Sequence, residues 1–67
     1  MLTAERITGL ELKLERVRLD VKQVEMARVM GVTAGVVYHI ENRRSVGPKV
    51  INRYRDALAK VVAERDQ

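Results

Sequence analysis

The chain has 67 residues, a formal net charge of +4, a pI near 10 and no cysteine, so it makes one domain close to the smallest size that sustains its own core, without a disulfide or a cysteine-based zinc site. Apolar residues make up 46% of it, yet Tyr38 and Tyr54 are the only aromatics, which leaves Val, Leu, Ile and Met to build the core; one proline and four glycines are too few for a sandwich or barrel. The basic balance suits a polyanion partner, while Glu5, Arg6 and Glu11 exclude a secretory signal and no uncharged run approaches the ~20 residues that span a bilayer, so the expected location is the cytoplasm.

In chain order, the first predicted helix runs from Met1 to Val21 with Thr3 as its N-cap. Ile7, Leu10, Leu14, Val17 and Val21 recur at three-and-four spacing and are predicted to face the core, with Leu12 and Leu19 widening that face. Gly9 weakens such a helix by up to ~1 kcal/mol relative to alanine. Asp20-Val21-Lys22 joins it to the next helix. Lys22 carries no hydrogen-bond acceptor in its side chain, so either Asp20 caps the second helix or the side-chain cap is missing.

From Gln23 to Asn42 the chain reads as a helix, a tight turn and a second helix. Met26, Ala27, Met30, Val32, Val37 and Ile40 stand where two closely crossing helices need apolar or small residues, and Ala27 marks the crossing itself. Gly31 falls where the first of the two must stop and reverse, a position that favours φ > 0. Val32 plugs the turn from below, and Thr33 is placed to cap the following helix through its hydroxyl. Over Thr33 to Asn42, Val37 and Ile40 face inward while Ala34, Gly35, Tyr38 and His39 face outward, with Val36 between the two sets. Asn42 is placed to end the helix.

The pattern Gln23, Met26, Ala27, Gly31, Val32, Thr33, Val37, Ile40, Glu41, Asn42 resembles the DNA-binding helix-turn-helix of the Cro and phage-repressor (XRE) type, over roughly Leu12 to Leu58. The resemblance implies an all-α, four-helix compact domain of the lambda-repressor-like kind, with Thr33 to Asn42 as recognition helix. It implies that Thr33, Ala34, Gly35, Tyr38 and His39 form the base-reading face; a small uncharged face suits close approach to base edges, and alanine can touch a thymine methyl. It implies that Gln23 bonds a phosphate and braces the recognition helix, and that Arg16 and Glu41 form a partly buried pair beneath the DNA-facing surface. The loop after the helix would run along the phosphate backbone, giving Asn42, Arg43, Arg44 and Lys49 phosphate contacts. Two departures stand out: Lys22 replaces the usual Ser or Thr before the glutamine, and Arg43 replaces a glycine.

Pro48 suits a first helical turn, and the last helix is predicted from Pro48 to about Arg65 with Val50, Ile51, Tyr54, Leu58, Val61 and Val62 as its inner stripe. Many members of the family add a fifth helix after a glycine that this chain lacks, so Val61, Val62 and Leu2 are expected to lie uncovered and to form a dimer surface. The whole, residues 1–67, is expected to be a single domain. No catalytic constellation, phosphate-binding glycine loop or acidic metal cluster appears, and His39 is the only histidine; no enzymatic activity, cofactor or metal is expected. The expected function is that of a sequence-specific double-stranded DNA-binding transcriptional regulator, a small phage, prophage or plasmid repressor that binds a near-palindromic operator as a homodimer, at least on DNA. Two other readings stay open. One is a DNA-binding antitoxin, which would also bind a toxin protein. The other is a helical protein-interaction module without DNA binding, marked by a salt-independent affinity for protein.

Overall fold

Thr8 sets the start of the first helix. Its backbone is extended, its hydroxyl accepts from the Glu11 N–H at 3.2 Å, and the Glu11 carboxylate accepts from the Thr8 N–H at 3.3 Å, a reciprocal pair that satisfies two of the otherwise orphaned amides. The computed structural model describes Arg6 to Asp66. Within that span lie α1 (Gly9–Arg18), α2 (Gln23–Met30), α3 (Ala34–Glu41) and α4 (Pro48–Arg65). The described residues hold no strand, only an isolated antiparallel bridge between Ile7 and Val46. The domain is all-helical with four helices, as the sequence predicts, and no helix among the described residues is long and apolar enough to cross a membrane.

The first helix is shorter than predicted. The proposed cap Thr3 lies outside the described residues, but Arg6 to Thr8 is not helical. The reason is tertiary: Ile7 is bridged to Val46, the Val46 N–H donating to the Ile7 carbonyl at 2.8 Å, and the Gly9 N–H donates to the Arg43 carbonyl at 2.8 Å. The inner face is also rotated from the predicted one. Gly9, Leu12 and Arg16 are buried, whereas Leu10, Leu14 and Val17 are 56%, 45% and 53% exposed, and Leu19 is exposed as well. Gly9 explains the rotation. A Cβ there would stand 2.2 Å from the Ile40 carbonyl oxygen, so α1 crosses the end of α3 backbone against backbone at the one residue without a side chain.

α1 and α2 end in the same motif. Asp20 takes φ 57 and Gly31 takes φ 73. The Asp20 and Val21 amides reach back to the Val17 and Arg16 carbonyls, and the Gly31 and Val32 amides to those of Arg28 and Ala27. This is the six-residue closure that a left-handed residue makes at a helix C-terminus. Gly31 therefore performs the predicted reversal. Asp20 does not cap α2. It is committed to ending α1, and the Lys22 N–H is taken instead by the Glu25 carboxylate at 2.9 Å.

α2 packs on α3 and α4, and α1 packs on α3 and α4. One core joins Leu12, Val21, Met26, Ala27, Val37, Ile40, Val46, Ile51, Tyr54, Ala57, Leu58 and Val61. Val46 and Ala57 are additions to the predicted core. Val61 is a correction: it is 2% exposed and half-buried Val62 packs against the same core, so this stretch is covered within the chain. The cover is held in place by Arg65, which donates to the Leu19 and Asp20 carbonyls and to Glu25, at 3.0, 2.7 and 3.0 Å. Leu2, the third expected dimer residue, lies outside the described residues.

Candidate nucleic-acid interface

Glu41, the last residue of α3, is the polar centre of the domain. Its side chain is 1% exposed. Arg16 grips it with two donors, Nε to Oε2 at 2.7 Å and Nη2 to Oε1 at 3.0 Å. The Tyr54 hydroxyl donates to Oε2 at 2.5 Å and the Gln23 amide to Oε1 at 2.9 Å. Arg16 Nη1 also donates to the Val21 carbonyl at 2.7 Å. All four helices and the α1–α2 turn thus meet on one carboxylate. A negative charge at a helix C-terminus opposes the helix dipole, and the arginine offsets it. Burial pushes the Glu41 carboxyl up, but the hydrogen bonds from Arg16, Tyr54 and Gln23 outweigh it and hold the group below its ordinary value. The Glu41 hydrogen bond, opposed in part by desolvation, pulls the Arg16 guanidinium further up. Burial first, then Glu41, push the Tyr54 hydroxyl up.

The Arg16–Glu41 contact follows the predicted pairing, and Gln23 makes the brace predicted for it. The part of Tyr54 in the network was not predicted, since its position in the apolar stripe accounted for the ring alone. A buried tyrosine still needs a partner for its hydroxyl, and that requirement is the signal that points to it.

The outward face of α3 carries exposed Gly35, Val36, Tyr38 and His39. Tyr38 and His39 meet edge to face, ring centroids 5.9 Å apart. A Cβ on Gly35 would meet nothing closer than the Thr33 hydroxyl at 3.6 Å, so no packing inside the domain calls for glycine there. Two expectations are corrected. Ala34 is half-buried against the core rather than outward. Thr33 stands at the N-cap with extended backbone but makes no side-chain capping bond; its carbonyl takes the Val36 amide at 3.0 Å, and its hydroxyl stays at the exposed surface.

Asn42 ends α3, its side-chain amide donating to the Tyr38 carbonyl at 2.8 Å. Arg43, Arg44 and Lys49 follow, all exposed, and among the described residues none of them forms an ion pair. Val46, fully buried and bridged to Ile7, pins the loop so that its cations stay at the end of α3. Arg43 and Arg44 share a shallow groove of about 360 Å³ with Thr8, Leu10, Lys13 and Asn42, and Arg6 donates to the Ser45 hydroxyl at 3.2 Å. Thirty or more residues separate Lys13 and Arg6 from the loop they join, so no local pattern in the sequence links them to it. Among the described residues no group of three His, Cys, Asp or Glu side chains gathers to hold a metal. No protein-family model, curated protein or solved structure matches the chain.

Proposed function

We propose that this chain is a sequence-specific double-stranded DNA-binding transcriptional regulator, a small repressor of the Cro kind working in the cytoplasm, with α3 laid in the major groove. One observation carries the reading: in a chain with 33% charged residues, the exposed face of α3, made of Gly35, Val36, Tyr38 and His39, carries no Lys, Arg, Asp or Glu, and three cations that form no ion pair among the described residues follow it. A face left to water would carry Lys and Glu. A face that approaches base edges needs short side chains, apolar groups for thymine methyls and a few polar tips. Gly35 and Val36 supply the first two, and Tyr38 and His39 the third, reaching a base edge, a sugar or a phosphate.

The remaining roles follow from position. Arg43, Arg44 and Lys49 neutralise phosphates beside the groove, which fixes register without reading sequence. The first turn of α3, left without a side-chain cap at Thr33, presents backbone amides of the kind that favour an anion. Gln23 opens α2 beside this surface; its brace to Glu41 holds it ready for a phosphate. Rigidity matters here because each base contact depends on the height of α3 in the groove, and the Glu41 network ties α3 to the three other helices. A single eight-residue helix reads only a few base pairs, so two copies act together on a near-palindromic operator. Selection from random duplexes tests the reading: it should enrich one motif with a two-fold repeat, whereas recovery of unenriched duplex would contradict it.

A further inference from the structure

Among the described residues, nothing covers the outward stripe of α1. Leu10, Leu14 and Val17 recur along one line of the helix, each about half exposed. Single exposed apolar side chains are ordinary, but a contiguous row on a short helix marks an interaction surface. The geometry points to a homodimer in which the α1 helices of two copies pack antiparallel through Leu10, Leu14 and Val17, with Leu14 on the two-fold axis. This deepens the function proposed above and rests on it for one step, the choice of direction.

Charge identifies the occupant as a second copy. With 3.6 residues per turn, Glu11 and Arg18 fall on one flank of the stripe and Lys13 on the other. A two-fold axis at Leu14 places Glu11, three residues before it, opposite the partner's Arg18, four residues beyond it. The mismatch is one residue, a rise of ~1.5 Å. The same operation brings Leu10 against the partner's Val17. Opposed helix dipoles also favour this direction.

The other flank sets the direction. Lys13 lines the groove of Arg43 and Arg44, and Leu10 reaches its edge. In the antiparallel pair the two Lys13 flanks turn to the same side, so both basic loops face one duplex. In a parallel pair they turn to opposite sides, and no single duplex serves both. That gathering of cations repels until a polyanion covers it. The apolar contact is also small: a patch of a few hundred Å² falls short of the ~800 Å² per partner of a stable interface. The pair therefore forms weakly alone and firmly on DNA.

The chain has no cysteine, so single cysteines on this exposed face give a clean test. Leu10→Cys, Leu14→Cys and Val17→Cys proteins are oxidised gently with the selected duplex, and at high protein concentration without it. Leu14→Cys should link to itself. Leu10→Cys should stay unlinked alone but link when mixed with Val17→Cys. In sedimentation, Leu14→Asp should shift the duplex-free concentrated protein from two chains to one. Self-linking of Leu10→Cys would mean a parallel pair and overturn the proposal. Two chains on the duplex with Leu14→Cys unlinked would overturn it too, and so would a thiol at position 14 that reacts with a small alkylating reagent only after residues 1–5 are removed. If no duplex is bound, the functional reading falls separately, and linking in the concentrated protein still decides the interface.

Discussion

Gly9 and Glu41 carry more of this fold than their chemistry suggests, because each sits where one helix end meets another. Gly9 lets α1 touch the α3 backbone, so Gly9→Ala forces a methyl to within 2.2 Å of a carbonyl oxygen. Overpacking costs typically ~1–3 kcal/mol, and more where only backbone can yield, in a domain whose total stability is ~0.05–0.15 kcal/mol per residue. Thermal melts should show Gly9→Ala largely unfolded near room temperature; an unchanged midpoint would contradict the close crossing. Glu41 predicts an acid limb. Its carboxyl is held below 4.5 in the folded state, so its stabilisation is present above that value and is lost as pH falls through the lowered one. Melts against pH should fall steeply in this range for the native protein and less steeply for Glu41→Gln, which starts lower at neutral pH. The sequence suggested the Arg16–Glu41 pair through family resemblance alone. It gave no warning of Gly9, because glycine early in a helix reads as a weakness and its value lies in a contact thirty residues away.

At the scale of elements, the α2–α3 unit was legible and α1 was not, for one physical reason. α2 and α3 bury apolar residues at helical spacing and end where glycine and asparagine end helices, so local pattern and tertiary role agree. α1 buries Gly9, Leu12 and Arg16, a glycine and a charge among three, and leaves Leu10, Leu14 and Val17 outside. A periodicity argument follows hydrophobicity and so selects the wrong face. The boundaries of α4 were legible, but the cover of Val61 was not, because it depends on Arg65 and the distant α1–α2 turn. Ala27, 5% exposed, holds the place where α2 receives its neighbours. Ala27→Leu should lower the melting free energy by ~1–3 kcal/mol, whereas exposed Val24→Leu on the same helix should change it little. Equal melting of both variants and the parent would show that the crossing at Ala27 is not tight.

For the whole molecule, the proposed function divides reading from positioning: the uncharged face of α3 would select sequence, and the cationic loop that follows would hold phosphates. The face was partly legible, since Gly35, Tyr38 and His39 were placed outward from spacing alone. The groove that joins Lys13 to Arg43 and Arg44 arises only from folding. Gly35 separates function from stability cleanly. Its Cβ would meet only the Thr33 hydroxyl, at an ordinary 3.6 Å, so Gly35→Ala should stabilise α3 by up to ~1 kcal/mol while placing a methyl on the proposed reading face. The decisive measurement is the affinity of Gly35→Ala, His39→Gln and Arg44→Ala proteins for selected and scrambled duplex at two salt concentrations. The two α3 substitutions should change the preference for the selected duplex, at ~1–3 kcal/mol per good base contact, and leave the salt dependence alone. Arg44→Ala should weaken both duplexes alike and lower the slope of log affinity against log salt by about one unit. Helix substitutions that leave preference untouched, with the loop arginine changing it, would contradict the account.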